Sequence, residues 1–218
     1  MSIYSLDGNI GSGKSTLLKT IEDLNLPGVQ IVFEPVDEWI KLKAPGDEKS
    51  IFEKFYADQE RYSFTFQLYA LQSRVEYLYQ IVKDNPEKII ITERCYLTDS
   101  KIFAKMMHEE KLMSEMEYMI YTLWYNFIID LIKPQIKGLI YLRTDPEVCM
   151  ERIGMRKRSG EGGIKISYIE KLHRLHEEWL HSHSELPLVH PIPIHIISGN
   201  GKIGKTDIDT MMRFILDI

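Results

Sequence analysis

A glycine-rich loop between a short apolar run and a helical segment constrains the fold of this chain more than any other feature. The loop reads Gly8-Asn-Ile-Gly-Ser-Gly-Lys-Ser-Thr16 and matches the pattern G-x-x-x-x-G-K-[ST], directly after the apolar run Ile3–Leu6. Its glycines allow successive backbone N–H groups to turn inward and form an anion-binding nest at a helix N-terminus. An ordinary glycine turn before a helix is the alternative, but it does not require every position of the pattern to be filled. The loop therefore predicts a site for the phosphates of a nucleotide, formed by Gly8, Asn9, Ile10, Gly11, Ser12, Gly13, Lys14, Ser15 and Thr16.

Two side chains of this phosphate-binding loop (P-loop, residues 8–16) have individual predicted roles. Lys14 is expected to reach the β- and γ-phosphates, and the Ser15 hydroxyl is expected to ligate Mg²⁺. The expected ligands are therefore ATP, or another nucleoside triphosphate, and Mg²⁺.

Short apolar runs alternate with helical segments along the whole chain. The runs that resemble buried strands are Ile3–Leu6, Gln30–Phe33, Lys88–Thr92, Gly138–Leu142 and His195–Ile197. The predicted helices begin at Lys14, run from about Arg61 to Val82, Ser114 to Ile132 and Ser167 to Ser182, and begin again at about Thr206. This alternation predicts a three-layer α/β fold of the P-loop NTPase type, with a central five-stranded parallel sheet flanked by helices. We expect residues 1–218 to form a single domain.

Composition limits the classes of partner. The chain of 218 residues has a formal net charge of −5, which argues against binding to a nucleic-acid polymer. The longest apolar stretch, Tyr118–Ile132, is interrupted by Asn126 and Asp130 and is too short and too polar to span a bilayer. Only two cysteines occur and no targeting segment is recognisable at the N-terminus, so we expect a cytoplasmic protein without a membrane partner.

Charged residues follow two of the predicted strands, at the edge where parallel sheets bind ligands. Glu34, followed by a rigid proline, could accept a proton from a substrate hydroxyl, although a solvated strand-end glutamate is an equally good explanation. Glu93 ends an apolar strand and could hold Mg²⁺ directly or through water. Arg94 could clamp the reacting oxygens or bridge the two glutamates, and a purely structural ion pair is the alternative.

A basic segment follows the fourth predicted strand and its helix. Arg152, Arg156, Lys157 and Arg158 lie within seven positions, and three glycines follow closely. Neutralising a phosphoryl transition state requires cations, and a flexible lid at about residues 152–163 would supply them when substrate binds. In isolation a solvated basic loop or a nucleic-acid patch would explain the segment better, but its combination with a P-loop favours a lid.

A polar stripe crosses the aromatic, helical segment from Phe55 to Arg74. Gln67 and Arg74 lie seven positions apart, so they share one helix face two turns apart. The Gln67 amide can both donate and accept, which suits a nucleobase edge, and Asp99 is a candidate ion-pair partner for Arg74. Periodicity alone indicates half-buried structure with a polar stripe.

Taken in order, these motifs resemble the deoxynucleoside kinase family, on the branch of the deoxycytidine and deoxyguanosine kinases. The resemblance covers most of the chain and rests on the P-loop, Glu34-Pro-Val36 with Trp39, Glu60-Arg-Tyr-Ser-Phe-Thr-Phe-Gln67, Glu93-Arg94 followed by Asp99 and Phe103, Tyr141-Leu-Arg-Thr-Asp-Pro-Glu147, the arginines of the basic segment, Tyr168-Ile-Glu-Lys-Leu-His173 and Glu177-Glu-Trp-Leu180.

The resemblance implies a reaction and a set of roles. The reaction is transfer of the γ-phosphate of ATP to the 5′-hydroxyl of a deoxynucleoside in nucleotide salvage. The implied residues are Glu34 as general base, Arg94 holding the hydroxyl, Glu93 with Ser15 at Mg²⁺, Tyr56 and Glu161 at the sugar 3′-hydroxyl, Gln67, Phe66, Phe103 and Trp39 around the base, and Lys14, Arg152, Arg156 and Arg158 at the phosphates. Arg74 and Asp99 match the pair that reads exocyclic groups of the base, which favours deoxycytidine and the purine deoxynucleosides as substrates.

The resemblance also implies a homodimer in which the two long helices, about residues 61–82 and 114–132, form a four-helix bundle with those of a second copy. Two other functions stay open at this point. A nucleoside monophosphate kinase on the same fold would need extra cations near Glu34, where the sequence is acidic. A catalytically silent nucleotide-binding module would bind ATP without turnover.

Overall fold

All five strands of the structure form one parallel sheet. The computed structural model describes residues 2–132, 136–181 and 192–216. The strands are β1 (Ser2–Asp7), β2 (Val29–Val32), β3 (Ile89–Glu93), β4 (Ile136–Arg143) and β5 (Ile194–Ser198), in the order β2-β3-β1-β4-β5. Each neighbouring pair is parallel, with Tyr4 of β1 paired to Ile91 of β3 and to Gly138 of β4. The predicted five-stranded parallel sheet is confirmed, with each strand end within two residues of its predicted position.

The helices connect these strands and cover both faces of the sheet. The α-helices are α1 (Lys14–Asp23), α2 (Val36–Lys41), α3 (Ile51–Ala57), α4 (Gln59–Asp84), α5 (Tyr96–Thr98), α6 (Lys105–Glu109), α7 (Glu115–Ile132), α8 (Pro146–Arg156), α9 (Ile166–His176) and α10 (Lys205–Leu216). Two π-helices, Asp99–Ala104 and Glu177–His181, and a 3₁₀ turn, Glu161–Gly163, complete the described elements.

Alternation of side chains along each strand divides the core into two layers. In β1, Leu6 faces α1 and α10 among residues such as Leu18 and Met211, whereas Ile3 faces the larger opposite layer with Leu71 of α4. Because both faces are covered, the strands are apolar on both sides, as their sequence runs predict. Burial of each such aliphatic side chain stabilises the fold by about 1.5–3 kcal/mol.

The helical segment predicted from Phe55 to Arg74 is interrupted. The chain leaves helical geometry at Asp58, which has φ −151° and separates α3 from α4. The Asp58 carboxylate accepts a hydrogen bond from the backbone N–H of Arg61 at 3.1 Å, so it caps the new helix. The interpretation of the segment as helical is therefore wrong at this residue, whereas the long helix predicted to begin at about Arg61 begins two residues earlier. The break lets α3 and α4 present separate faces to the same cavity.

Other features of the helices were not predicted. The short helix α2 and the π-helix that begins at Asp99 were not predicted from the sequence, and of α3 only the residues from Phe55 onward fall in a predicted helical segment. In a π-helix each turn contains an extra residue, and such turns often occur at functional sites. The predicted helix that ended at Ser182 is described only to His181, where its last turn is π-helical.

None of the helices in the described ranges combines the length and the apolar character that crossing a membrane requires.

Candidate active site

A cavity of about 750 Å³ lies at the carboxyl edge of the sheet. It extends from the P-loop to the residues that follow β2 and β3 and to the faces of α2, α3 and α4. The predicted site residues that line it are Ile10, Gly11, Ser12, Gly13, Lys14, Ser15, Thr16, Glu34, Trp39, Tyr56, Phe66, Gln67, Arg74, Glu93, Arg94, Asp99, Phe103, Arg152, Arg156, Arg158 and Glu161. One continuous space thus joins the phosphate-binding loop to the carboxylates and aromatic residues that sequence reasoning singled out.

The backbone of the P-loop requires glycine where it passes α8. Gly11 has φ +79°, and a Cβ atom there would lie 2.4 Å from the carbonyl oxygen of Cys149. Asn9 supports the loop from behind, because its amide donates to the carbonyl oxygen of Ile169 at 2.9 Å and accepts from the Ile10 N–H at 2.8 Å. Gly8 and Asn9 do not line the cavity, and their predicted contact with a nucleotide stays a prediction.

Lys14 is a buried cation whose side chain folds back onto the loop. Its Nζ atom donates to the carbonyl oxygen of Asn9 at 2.8 Å. Burial, together with the positive charge of Arg94, lowers the pKa of Lys14 to about 7. An anion in the cavity would restore the favourable environment that this ammonium group lacks, which suits a site for phosphates.

Ser15 and Glu93 meet at the end of the P-loop. The Ser15 hydroxyl donates to a carboxylate oxygen of Glu93 at 2.8 Å, and both residues line the cavity. A hydroxyl and a carboxylate supply the hard oxygen ligands that Mg²⁺ prefers, and phosphate oxygens commonly complete its coordination. No cluster of three or more His, Cys, Asp or Glu residues suited to a metal occurs in the described ranges, so these two residues fit a metal held largely by its nucleotide.

Glu34 follows β2 and lies between two arginines. Its Oε1 atom accepts from Arg74 at 2.7 Å and its Oε2 atom accepts from Arg94 at 2.7 Å. Burial alone would raise the pKa of Glu34, but the positive charges of Arg94 and Arg74 outweigh burial and hold this pKa well below its ordinary value. The alternative of a solvated glutamate at a strand end is therefore wrong, because the side chain is only 9% exposed.

Arg94 is fixed by several neighbours beside Glu34. Its backbone has φ +60°, and its guanidinium donates to the carbonyl oxygen of Gly8 at 3.3 Å. The guanidinium also lies 5.0 Å from the ring centre of Phe103, in the range of a cation–π contact. Arg94 therefore contacts Glu34 and the P-loop, whereas its side chain makes no ion pair with Glu93 among the described contacts.

Arg74 of α4 is the second arginine and connects more groups than predicted. Its Nε atom donates to Asp99 at 2.8 Å, which confirms the predicted ion pair. A second nitrogen donates to the main-chain carbonyl of Glu93 at 3.1 Å, and a third donates to Glu34. The indole ring of Trp39 lies 5.6 Å from its guanidinium carbon. The contact between Arg74 and Glu34 was missed, because no sequence pattern indicates that α4 passes the end of β2.

Aromatic rings from α2, α3 and α4 form one wall of the cavity. Phe66 packs against Phe55 with ring centres 4.6 Å apart and meets Trp39 edge to face at 5.4 Å. The Trp39 indole N–H donates to the hydroxyl of Ser73 at 2.8 Å, which fixes its ring. Gln67 is buried on the same helix face as Arg74 and also lines the cavity. A flat apolar ring with a polar edge would fit between these groups.

The arginines of the segment 152–163 border the cavity and are held by two kinds of contact. Arg152 donates to the carbonyl oxygen of Ser12 at 2.8 Å, so it lies on the P-loop. Arg156 forms two bonds to the buried carboxylate of Glu161, at 2.8 and 2.6 Å, and Arg158 approaches the same carboxylate at 3.4 Å. The same segment also contacts α3, because the Ser159 hydroxyl donates to the carboxylate of Glu53 at 2.6 Å.

Sequence reasoning missed a second group of lining residues, after β5. Gly199, Gly201, Lys202 and Ile203 line the cavity, and Ile208 of α10 joins them. These residues could have been predicted from their position, because ligands bind beyond the carboxyl ends of parallel strands and β5 was a predicted strand.

Comparison with known proteins places the chain in a family. A sequence model described as deoxynucleoside kinase matches residues 4–215. The deoxycytidine kinase of Homo sapiens is 35% identical over 193 residues, covering 81% of this chain and 74% of its own length. Deoxycytidine kinase 2 of Gallus gallus is 30% identical over 216 residues, covering 90% of this chain and 81% of its own length. The mitochondrial deoxyguanosine kinase of Xenopus laevis is 32% identical over 191 residues, covering 81% of this chain and 72% of its own length.

These matches bear out the resemblance seen in the motifs and the reaction class that it implies, an ATP-dependent phosphotransfer to a deoxynucleoside in nucleotide salvage. Because the family model spans nearly the entire chain, from within β1 to within α10, the α/β fold with its parallel sheet and P-loop is the fold of that family. The chain belongs to the deoxynucleoside kinase family.

Proposed function

We propose that this protein transfers the γ-phosphate of ATP to the 5′-hydroxyl of a deoxynucleoside, with deoxycytidine and the purine deoxynucleosides as its favoured acceptors. The observation that carries the proposal is the shared cavity, in which Lys14 of the P-loop and the carboxylate of Glu34 line one space. A neutral sugar alcohol beside Glu34 and a triphosphate in the P-loop would meet there. We also propose that residues 1–218 act as a single unit.

On the nucleotide side, the backbone N–H groups of the P-loop and Lys14 bind the phosphates. Ser15 and Glu93 would hold Mg²⁺, which supplies positive charge at the phosphate oxygens when it is bound. Arg152, Arg156 and Arg158 stabilise charge on the transferring group, and we propose that their segment, at about residues 152–163, moves as a lid. This role is supported by the position of all three arginines at the edge of the cavity.

On the acceptor side, Glu34 is the general base. The 5′-oxygen forms a bond to the γ-phosphorus as the bond to the bridging oxygen of ADP breaks, and the hydroxyl proton passes to Glu34. Arg94 orients the hydroxyl, and Tyr56 and Glu161 bind the 3′-hydroxyl. This last role requires Glu161 to share its carboxylate with the sugar, since Arg156 occupies it in the structure.

The proposed base preference is supported by three polar side chains beside the aromatic residues of the cavity. Gln67, Arg74 and Asp99 line the cavity near Phe66 and Phe103, and together they offer both donors and an acceptor to a nucleobase edge. The names of the relatives, deoxycytidine kinase and deoxyguanosine kinase, agree with acceptors whose bases carry an exocyclic amino group.

The decisive experiment is a panel of the four deoxynucleosides and their monophosphates with ATP and Mg²⁺, in which product formation is followed for each. We expect turnover with deoxynucleosides, highest for deoxycytidine or a purine, and no turnover when Mg²⁺ is chelated. Turnover of monophosphates alone would identify a monophosphate kinase, and ATP binding without any turnover would identify a silent module. Highest activity with thymidine would contradict the proposed preference.

We further propose that the protein forms a homodimer through a four-helix bundle. The proposal is supported by α7, whose large exposed apolar residues recur at helical spacing on one face: Met116, Met119, Leu123, Trp124, Phe127 and Leu131. In α4, which packs against α7, Tyr77 is also exposed. Sedimentation should give twice the monomer mass, and the double substitution of Leu123 and Phe127 by glutamate should give the monomer mass. A monomeric unsubstituted protein would contradict the proposal.

A cytoplasmic location is proposed as well. Cys95 and Cys149 are both free and buried, as is usual in a reducing compartment. Fractionation of expressing cells checks this proposal, and recovery in an organelle fraction would contradict it.

A further inference from the structure

Both carboxylate oxygens of Glu34 accept hydrogen bonds from arginines in this structure. Arg74 donates to Oε1 and Arg94 donates to Oε2, each at 2.7 Å. A carboxylate that is bonded to two guanidinium groups is a weak proton acceptor, since both cations stabilise its charged form. A general base works best when its affinity for a proton is suited to the working pH. Withdrawal of one of the two arginines would therefore make Glu34 a stronger proton acceptor.

The surroundings of the two arginines differ in a way that selects Arg74. Arg94 follows β3 directly, its backbone is held at φ +60°, and it donates to Gly8 of the P-loop. Arg74 reaches Glu34 through the full length of its side chain from α4, and its Nε atom is bonded to Asp99. Asp99 lines the part of the cavity where a nucleobase would lie. Arg74 therefore has partners on both the nucleobase side and the catalytic side.

We propose that Arg74 is a positioning residue that couples nucleobase recognition to Glu34: a base that hydrogen-bonds to Arg74 and Asp99 draws the guanidinium from Glu34 Oε1 and frees that oxygen for the 5′-hydroxyl. The proposal rests on the proposed role of Glu34 as general base. Its consequence is that the identity of the base affects the rate of the chemical step and not only binding. When a nucleoside that cannot hydrogen-bond to Arg74 is bound, both arginines stay bonded to Glu34 and its proton affinity stays low.

The test compares two acceptors that share the same sugar alcohol. One is the best deoxynucleoside from the panel, and the other is the 2′-deoxyriboside of an unsubstituted phenyl ring, which can stack on the aromatic wall but cannot hydrogen-bond. Single-turnover rate constants at saturating acceptor isolate the chemical step. For the unsubstituted protein we expect the phenyl deoxyriboside to react about 100-fold or more slowly, within the range of a general-base contribution.

Arg74→Gln removes the positively charged guanidinium that is bonded to Glu34 Oε1. The rate constant for the phenyl deoxyriboside should therefore rise at least about tenfold, so that the gap between the rate constants of the two acceptors narrows. Arg61→Gln is the matched control, because Arg61 is an exposed arginine of the same helix and should leave the gap unchanged. A merely structural role for Arg74 would lower both rate constants or change only KM. An unchanged gap in Arg74→Gln would overturn the proposal.

Asp99→Asn provides a second test if Arg74→Gln does not fold. Without the Asp99 charge, Glu34 is the remaining carboxylate bonded to Arg74, so the rate constant for the deoxynucleoside should fall toward that of the phenyl deoxyriboside. A deoxynucleoside rate constant that stays unchanged would overturn the coupling. Failure of the proposed function is distinguishable, since the unsubstituted protein would then phosphorylate no deoxynucleoside at all.

Discussion

The nucleotide side and the acceptor side of the cavity are built in different ways. The P-loop is nine consecutive residues, and its binding groups are backbone N–H donors whose positions follow from glycine conformations such as that of Gly11. The acceptor side is assembled from side chains that lie far apart in the chain, with Glu34 bonded to both Arg74 and Arg94. The proposed contacts of the P-loop with phosphates are therefore local to one segment, whereas the proposed proton transfer depends on how distant segments pack.

The largest expected effect is a loss of turnover caused by a substitution on the acceptor side alone. Glu34→Gln should reduce kcat by roughly 10²–10⁴-fold with a modest effect on ATP affinity, because the amide cannot accept the hydroxyl proton. Steady-state kinetics and ATP titration measure the two quantities separately. An unchanged kcat would remove Glu34 from the role of base.

A substitution of Gly11 should weaken the binding of ATP on the nucleotide side. Gly11→Ala places a Cβ atom 2.4 Å from the Cys149 carbonyl oxygen at a φ of +79°, so the loop must shift and ATP affinity should fall by about ten- to 100-fold, corresponding to roughly 1.4–2.7 kcal/mol. Gly154→Ala is the matched control, since a Cβ atom there meets nothing within 4 Å, and the change should keep ATP affinity. Equal ATP affinity in the two variants would show that the loop does not depend on its glycine backbone.

A smaller effect on the nucleotide side is expected from the protonation of Lys14, which should make ATP affinity depend on pH. Because the pKa of Lys14 is about 7 without an anion and a bound polyphosphate raises it, binding above pH 7 should take up a proton, and ATP affinity should decrease by up to about tenfold per pH unit. Calorimetry at pH 8 in buffers of different ionisation enthalpy measures the uptake. Lys14→Met should abolish this proton uptake, and uptake that persists in the variant would assign the titration to another group.

The smallest expected effect concerns the link between the arginine-rich segment and α3. Ser159→Ala removes the bond to Glu53, which lies in the same helix as Tyr56, so KM for the deoxynucleoside should rise by less than about fivefold while ATP affinity is kept. An equal change in ATP affinity would mean that this segment serves the nucleotide side instead.

Most of the fold could be predicted because its signals are local. Each buried strand is a short apolar run, and the long helices α4 and α7 were found within two residues of their bounds. The break at Asp58 was missed because a single capping aspartate between two helical runs leaves the apolar periodicity intact. The π-helix from Asp99 was missed because no known residue pattern distinguishes it from an α-helix over six residues.

In the candidate site too, some contacts could be predicted from the sequence and others could not. The pairing of Arg74 with Asp99 was predicted from charge and helical spacing and is present in the structure. The bond from Arg74 to Glu34 was not predicted, and neither was the contribution of Lys202 after β5. Both depend on which segments meet at the carboxyl edge of the sheet.

The amino-acid sequence by itself determined the parallel α/β layers and the nucleotide-binding loop, because apolar periodicity and glycine conformation act over a few neighbouring residues. Only the tertiary structure decided the state of Glu34, whose two oxygens are bonded by arginines 40 and 60 positions away. Electrostatic contacts act through space, and the order of residues along the chain does not specify which charges will be brought together in a buried cavity.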